Sequence, residues 1–164
     1  MPRRSIALSE WGIADNVVSN KFLFKKGEIL FGKLRPYFHK VGVVAMDGVC
    51  STDILVINSK NIALYGLVLS RLSSDDFVNY TEGTSSGTKM PRTNWTDIAR
   101  YRIMIPPETI ARKFTDSILP MIHTIQFNIH QSHNLATIRD ALLPKLLSGE
   151  IRVKDAERFA ENTL

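Results

Sequence analysis

The segment Gly83–Lys89, GTSSGTK, contains the residue types of two kinds of catalytic loop, one that binds phosphate and one that transfers acyl groups. It does not fit the phosphate loop, because its two glycines are one residue too close together and no Ser or Thr follows the lysine. Ser86 and Lys89 match the Ser-x-x-Lys pattern of acyl-transfer enzymes, but the accompanying Ser-Asp-Asn and Lys-Thr-Gly motifs are missing. A hydrolase that uses these two side chains is therefore the least supported function.

Three histidines, His123, His130 and His133, fall on roughly the same side of a predicted helix, as metal ligands would. No cysteine and no carboxylate stands at ligand spacing beside them, so we interpret them as polar residues of a helix surface. The sequence also lacks Gly-x-Gly-x-x-Gly, which binds dinucleotides, and Asp/Glu-x-Lys, which is common in metal-dependent nucleases. We therefore expect a protein that is not an enzyme and has no catalytic residues, metal or cofactor.

Three other segments carry residue types that bind nucleic acid. Gly32–Lys40 interleaves basic and aromatic side chains around a proline, and Lys and Arg neutralise phosphates while Arg also pairs with guanine. Cys50–Asp53 is a polar turn before an apolar strand, and Gly83–Trp95 offers backbone amides, hydroxyls and cations that commonly contact phosphates. The residues predicted to contact DNA are Lys33, Arg35, Tyr37, His39, Lys40, Ser85, Ser86, Thr88, Lys89, Arg92 and Asn94.

Each of these segments also has a purely structural interpretation. Tyr37 and Phe38 can be core residues whose charged neighbours are solvated, and residues 50–53 can simply begin a strand. Trp95 can anchor its loop in the core, and Cys50 can be a small buried residue. The sequence alone leaves these alternatives open.

The charge distribution favours a nucleic-acid partner, although a solvated surface would have the same composition. The net charge of the 164 residues is +5. Residues 1–46 hold eight Lys and Arg against three Asp and Glu, and residues 89–113 hold six against two. The segment between them, residues 47–88, holds two against five. Two basic segments that flank an acidic one can form a patch for a phosphate backbone.

The composition predicts a globular protein of one ordinary domain, or one domain with an appendage. Hydrophobic residues make up 44% of the chain, enough for a buried core. The longest apolar run, Ile62–Leu69, is far shorter than the ~20 residues that cross a bilayer. Cys50 is the only cysteine, which excludes an internal disulfide and is typical of a reducing cytoplasm.

The elements that must position these residues are mixed strands and helices. Short runs rich in β-branched or aromatic residues predict strands at Ile29–Phe31, Val41–Met46, Ile54–Ile57 and Tyr101–Ile105. Prolines 106 and 107 then close the domain.

Helices are predicted between these strands and after them. Asn61–Leu72 has helical spacing, and a second helix begins at Ser73 or Ser74, which are good N-caps, and ends near Gly83. A short helix is predicted around Trp95–Arg100. Glu108–Leu119 forms another helix, which Pro120 should kink or restart.

The last helical stretch ends at Ser148-Gly149 and carries an apolar stripe that needs a partner face. We expect the α+β class, with a mixed, β-rich recognition domain over residues 1–106, a long helical spacer over 107–149 and a tail over 150–164. The residues of the stripe are Ile118, Ile122, Ile125, Ile129, Leu135, Ile138, Leu142 and Leu146.

Four segments in a fixed order carry a family resemblance: GEILFGKLRPYFHKV, CSTDILVI, GTKMPRTNWTDIARYRIMIPP and IRDALLPKLLSGEIRV. Together they resemble the specificity subunit of type I restriction–modification enzymes, from about Gly27 to Val153. The resemblance implies a target recognition domain followed by a helical spacer. It also implies that a complete subunit has two such domains, held apart by two antiparallel helices.

The resemblance implies partners as well. Double-stranded DNA is bound by the recognition domains, modification (methyltransferase) subunits dock beside the helices, and restriction subunits join the full complex. The specificity subunit itself catalyses nothing.

This chain holds one domain and one spacer, so it corresponds to a half or a C-terminal fragment, and its domain looks shortened at the N-terminus. Two functions follow from this. The first is a DNA-specificity module, and the alternative is a scaffold that assembles with modification subunits or a second copy but reads DNA poorly.

The apolar stripe predicts a homodimer. Residues 121–147 would extend ~40 Å as a helix, which a small domain cannot cover, and contiguous apolar surface favours association. Two identical helices packed antiparallel close as a two-fold dimer. The polar stretch Asn128–His133 would then meet its own copy near the axis and fix the register.

Overall fold

Five short strands form two antiparallel sheets in the first part of the chain. The computed structural model describes residues 1–15 and 18–154, and it separates Met1–His123 from a second unit that begins at Thr124. One sheet has the order β3-β2-β5, and β1 pairs with β4 as a separate ribbon. The strands are β1 (Lys21–Phe24), β2 (Ile29–Gly32), β3 (Val41–Val43), β4 (Gly48–Ser51) and β5 (Ile54–Ile57).

Strand β2 lies at the centre of the first unit because it is apolar on both faces. Successive side chains of a strand point to opposite sides. Ile29 and Phe31 are fully buried in the larger core, whereas Leu30 enters a smaller core with Val44 and Cys50. The strands predicted at Ile29–Phe31 and Ile54–Ile57 are confirmed, whereas the one predicted at Val41–Met46 is shorter and ends at Val43. The β1–β4 ribbon was not predicted; its strands, KFLF and GVCS, are only four residues long and mostly exposed.

Three short helices of the described residues lie in the first unit before α4: α1 (Tyr65–Leu72), α2 (Asp75–Gly83) and α3 (Trp95–Ala99). The predicted cap of α2 is confirmed, because the Ser74 hydroxyl accepts a hydrogen bond from the Phe77 amide at 3.3 Å. Such a side chain satisfies one of the amides that a helix start leaves unpaired.

The strand predicted at 101–105 is wrong, since this segment is irregular in the structure. The Tyr101 ring packs edge-on against Phe77, with ring centroids 5.1 Å apart, but Met104 is 84% exposed. None of the described strands pairs with the segment. Its β-branched residues favour a strand, but without a neighbouring strand to hydrogen-bond with, no strand forms.

The fourth helix, α4 (Glu108–Leu147), is continuous through Pro120, so of the two predicted alternatives the start of a new helix is wrong, and a kink at Pro120 stays a prediction. Proline removes the hydrogen bond to the carbonyl of residue 116, and its ring crowds that carbonyl. Asp116 and Pro120 both lie on an exposed side of α4, where water can replace that bond. The predicted end of the helix is confirmed, because Gly149 adopts the left-handed conformation, with φ 74°.

The first turns of α4 belong to the domain core. The Thr115 hydroxyl donates to the Ala63 carbonyl at 2.8 Å and accepts from the Gly66 amide at 3.0 Å. A Cβ atom on Gly66 would lie 3.0 Å from the Cα of Thr115, so glycine permits this close approach. Ile122 is a member of the larger core, and Ile118 packs against that core.

The second unit contains the rest of α4. Of the predicted stripe, Ile125 and Leu135 are exposed, Ile129, Leu142 and Leu146 are half-buried, and Ile138 is buried. The predicted domain boundaries stay predictions, and residues 155–164 of the predicted tail lie outside the described part of the chain. Within the described residues, no helix has the length and apolarity that crossing a bilayer requires. The α+β class, with small antiparallel sheets followed by a long helix, is confirmed.

Candidate nucleic-acid interface

The three segments singled out in the sequence meet at one surface of the first unit. The Lys33 amide donates to the Asp53 carbonyl at 2.8 Å, which joins the first segment to the second. The Arg35 amide donates to the Pro91 carbonyl at 2.8 Å, and the Thr93 amide donates to the Lys33 carbonyl at 3.2 Å, which joins the first to the third. Backbone hydrogen bonds therefore hold segments from distant parts of the chain in fixed register.

The third segment is closed into a short loop by its own backbone. Ser86 and Arg92 exchange two hydrogen bonds, at 3.1 and 3.0 Å, and Gly87 takes up a left-handed conformation between them. Thr88 and Lys89 are consequently displayed at an exposed tip. Ser85 differs from them, because its hydroxyl donates to the Thr81 carbonyl at 2.6 Å and so helps to end α2.

The first segment forms a tight turn around a single 3₁₀ turn, Pro36–Phe38. Arg35 and His39 flank it, and both adopt the left-handed conformation with φ 50°. Residues other than glycine rarely do so, and such strain is held in place only by surrounding contacts. The turn buries Pro36 and leaves Tyr37 43% exposed at its apex.

Cations gather around the ring of Phe38. The guanidinium carbons of Arg3 and Arg35 lie 3.8 and 5.8 Å from the ring centroid, and Lys40 Nζ lies 5.5 Å from it. A ring face attracts cations and holds them in place. Arg3 was not predicted, because the basic pair at residues 3 and 4 is distant in sequence from the three segments.

A cleft of about 370 Å³ opens beside this cluster, and Arg35, Phe38, Lys40, Asp53 and Met90 are among the residues that line it. The Nε of Arg35 is buried and has no hydrogen-bond partner within the described part of the chain. A buried donor without a partner is unusual in a native structure and is consistent with a ligand that supplies the acceptor.

Arg92 and Asp53 form a two-pronged ion pair across the surface. Arg92 Nε lies 3.1 Å from Asp53 Oδ1, and Arg92 Nη2 donates to Asp53 Oδ2 at 3.2 Å. Their side chains are 53% and 37% exposed, so the pair remains in contact with solvent. The sequence placed these two residues in separate segments and gave no sign that they meet.

His39 and Asn94, like Ser85, are predicted contact residues that also have structural roles. His39 is buried, and its Nε2 donates to the Ser73 carbonyl at 2.8 Å, while its Nδ1 lies 3.5 Å from Asp75. The Asn94 amide oxygen accepts from the Asp97 amide at 2.9 Å and so begins α3. DNA contact by these two side chains stays a prediction, as it does for the other nine.

The structure decides between the alternatives that the sequence left open. Trp95 is 56% exposed, so the interpretation of this residue as a core anchor is wrong. Tyr37 is exposed and Phe38 half-buried, so neither is a fully buried core residue. Cys50 is buried, as the structural interpretation predicted, and burial raises the pKa of its thiol. Within the described residues, no three His, Cys, Asp or Glu side chains are grouped as metal ligands.

The first unit thus combines two small antiparallel sheets with short helices, brings several Lys and Arg side chains to one surface, and contains the start of the long helix α4. The sequence is 27% identical to the specificity subunit of the type I restriction enzyme EcoDI of Escherichia coli, over 155 residues. That alignment covers 92% of this chain and 34% of the relative. The sequence is also 34% identical to the specificity subunit of the type I restriction enzyme MjaIX of Methanocaldococcus jannaschii, over 111 residues. This second alignment covers 68% of the chain and 24% of the relative.

These similarities confirm the resemblance to type I specificity subunits that the four sequence segments carry. The chain spans about a third and about a quarter of the length of these two relatives. No protein-family model matches the sequence.

Proposed function

We propose that this chain is a non-catalytic DNA sequence-specificity module of a type I restriction–modification system. The observation that carries the proposal is the convergence of three sequence-distant, polar and basic segments on one surface, held by backbone hydrogen bonds. The names of the two relatives point to the same function. In the assembled enzyme, modification (methyltransferase) subunits would dock on the module, and a restriction subunit would complete the complex.

The surface divides into groups suited to different parts of a DNA duplex. Lys33 and Lys89, for which the described residues offer no ion-pair partner, can neutralise phosphates. Lys40 and Arg35 stand beside the Phe38 ring at the mouth of the cleft. Tyr37 is exposed on a rigid turn, where an aromatic side chain can contact a base or sugar with little loss of conformational entropy. Phosphate contacts of this kind position a protein on DNA, and base contacts specify the sequence.

Fluorescence anisotropy on a labelled duplex tests the proposal. Binding should weaken steeply between ~50 and ~200 mM salt, because each neutralised phosphate releases counterions. The double variant Lys33→Gln with Lys89→Gln should lower both the affinity and the steepness of the salt dependence. The matched control is Lys60→Gln with Lys113→Gln, which also removes two lysines, both of them exposed, but lies outside the three segments and should change neither.

Undetectable binding at both salt concentrations would contradict the proposal. Equal effects of the control and the double variant would show that net charge matters and this surface does not.

The second candidate function is assembly through α4 without specific reading of DNA. Exposed apolar residues on the part of α4 after the domain core favour it, and Ile125, Phe127 and Leu135 are among them. The partner we propose is a second copy, packed antiparallel about a two-fold axis. Because Ile118 and Ile122 are used in the domain core, the contact would use the residues from Ile125 onward.

Light scattering at micromolar concentration tests the assembly. A dimer is expected, and Ile125→Asp combined with Leu142→Asp should convert it into an 18.5 kDa monomer. A monomeric wild-type chain, or a dimer that survives both substitutions, would exclude this interface.

A further inference from the structure

We infer that Arg92 reads a guanine base, with Asp53 as the positioning residue that aims its guanidinium. The inference rests on the proposed function and deepens it, since it names the base pair that one part of the surface selects. It starts from the two-pronged ion pair, whose N···O distances are 3.1 and 3.2 Å.

The geometry of the pair determines which donors remain for DNA. A guanidinium carries five N–H groups; Asp53 Oδ2 accepts one of the two on Nη2, and Asp53 Oδ1 lies 3.1 Å from Nε on the same side. The outer edge keeps three N–H groups, one on Nη2 and two on Nη1. Two of these are parallel and adjacent, which matches the O6 and N7 acceptors of guanine in the major groove.

Both residues of the pair stand on fixed backbone. Arg92 is held by its two hydrogen bonds with Ser86, and the Asp53 carbonyl accepts from the Lys33 amide at 2.8 Å. The Asp53 amide in turn donates to the Ser51 hydroxyl at 3.2 Å. An arginine that is already oriented loses less side-chain entropy when it binds, so the pair is prepared for recognition.

Charge separates the role of Arg92 from that of the lysines. The ion pair is close to neutral as a unit, and the Asp53 carboxylate repels an approaching phosphate. The acceptors on the guanine edge carry no formal charge, so they can occupy the outer edge of Arg92 without this repulsion. The exposed Lys89 has no such carboxylate partner in the described part of the chain, and it is suited to phosphate.

The test begins with the full chain and a pool of randomised duplexes, from which the preferred site is selected. Each base pair of that site is then replaced in turn, and affinities are measured by anisotropy. At one guanine, exchange for adenine should weaken wild-type binding about ten- to hundredfold. Replacing only that base by 7-deazaguanine, which lacks the N7 acceptor, should also weaken binding.

Variants of Arg92 and Asp53 then test whether this ion pair causes the preference for guanine over adenine. Arg92→Lys cannot form the fork, so it should bind guanine, 7-deazaguanine and adenine at that position almost equally. Asp53→Asn should reduce the discrimination and steepen the salt dependence, because the released Arg92 becomes available to phosphate. The comparison variant Lys89→Gln should weaken binding to all these duplexes by the same factor and lower the salt slope by about one.

Three outcomes would overturn the inference. In the first, Arg92→Lys keeps the wild-type preference for guanine. In the second, Asp53→Asn weakens all duplexes equally and lowers the melting temperature, which indicates a merely structural pair. In the third, no guanine of the selected site is sensitive to 7-deazaguanine, a test that uses the unaltered protein. Failure of the wild-type chain to bind any duplex would instead remove the proposed function, and the inference with it.

Discussion

Helix α4 passes through two different environments along its length. Up to His123 it is part of the first unit, where Thr115 bonds to two backbone groups of another segment and Ile122 enters the larger core. From Thr124 onward, the Ser132 and Thr137 hydroxyls donate to the Asn128 and His133 carbonyls of the same helix, at 2.8 and 3.0 Å. A continuous helix therefore combines a stretch that packs into the larger core with one that carries several exposed apolar side chains, Ile125, Phe127 and Leu135 among them.

This difference shows what an apolar stripe can and cannot reveal. Helical spacing aligned eight apolar residues from Ile118 to Leu146, but Ile118 and Ile122 cover the domain's own core. The periodicity of a stripe is local information, whereas the surface that covers each part of it belongs to the tertiary structure.

The largest expected effect distinguishes neighbouring residues of this helix. Ile122→Ala should destabilise the first unit by about 2–4 kcal/mol, because Ile122 is 4% exposed and the substitution leaves a cavity. Met121→Ala is the matched control, since Met121 is 65% exposed and should cost less than about 0.5 kcal/mol. Urea unfolding followed by circular dichroism measures both, and equal losses would show that α4 does not contribute to the core at Ile122.

The next effect concerns the buried hydroxyl of Thr115. Thr115→Val should cost about 1–3 kcal/mol, because it leaves the Gly66 amide and the Ala63 carbonyl without their partner. The same substitution at Thr137 is the control. Thr137 is exposed and bonds only to the His133 carbonyl of its own helix, so its loss should lie within about 0.5 kcal/mol. A cost at Thr115 no larger than at Thr137 would contradict the buried contact.

A smaller effect should appear at alkaline pH in the first unit. Burial raises the pKa of Tyr65 to about 12, and its hydroxyl donates to the Gly27 carbonyl at 2.8 Å. The folded state therefore holds this proton above pH 10, where the unfolded state releases it, so stability falls as pH rises from 10 to 12. The loss should be about 1 kcal/mol at pH 11.

Tyr65→Phe isolates this contribution, because other groups titrate in the same range. The variant lacks the ionisable hydroxyl, and its stability should fall less steeply between pH 10 and 12 than that of the wild type. Denaturant titrations measure the free energy of unfolding of both proteins at each pH. If it falls equally for the wild type and the variant between pH 10 and 12, Tyr65 ionises as it does in the unfolded chain.

The smallest expected effect on stability lies at the candidate interface. Trp95 is 56% exposed, so Trp95→Ala should change the free energy of unfolding by less than about 1 kcal/mol. If the exposed ring contacts DNA, the same variant should weaken binding in the anisotropy assay. A loss of 3 kcal/mol or more would restore the core-anchor interpretation, since truncating a buried aromatic costs about that much.

Several local features could be predicted from the sequence because their causes are local. The Ser74 cap, the strand at residues 54–57 and the end of α4 at Gly149 each follow from a side chain or backbone preference within a few residues. The segment at 101–105 shows the limit of such reasoning. It has the composition of a strand, but a strand also needs a partner, which lies elsewhere in the chain.

The candidate site depended on more than composition. The sequence identified three segments with the right chemistry and, through the order of four motifs, the resemblance to specificity subunits that the comparisons confirm. It did not reveal that Arg3 lies 3.8 Å from the Phe38 ring centroid, or that Asp53 pairs with Arg92.

The sequence by itself determined the residue chemistry, the caps and the helical period, since these depend on interactions between near neighbours. Only the tertiary structure decided which cations share a surface, which arginine is paired, and which part of the apolar stripe is covered. Lys33 meets Asp53 and Thr93 through backbone hydrogen bonds across 20 and 60 residues of chain. Backbone amides and carbonyls are the same in every non-proline residue, so the local sequence around Lys33 does not identify the distant residues with which its backbone pairs.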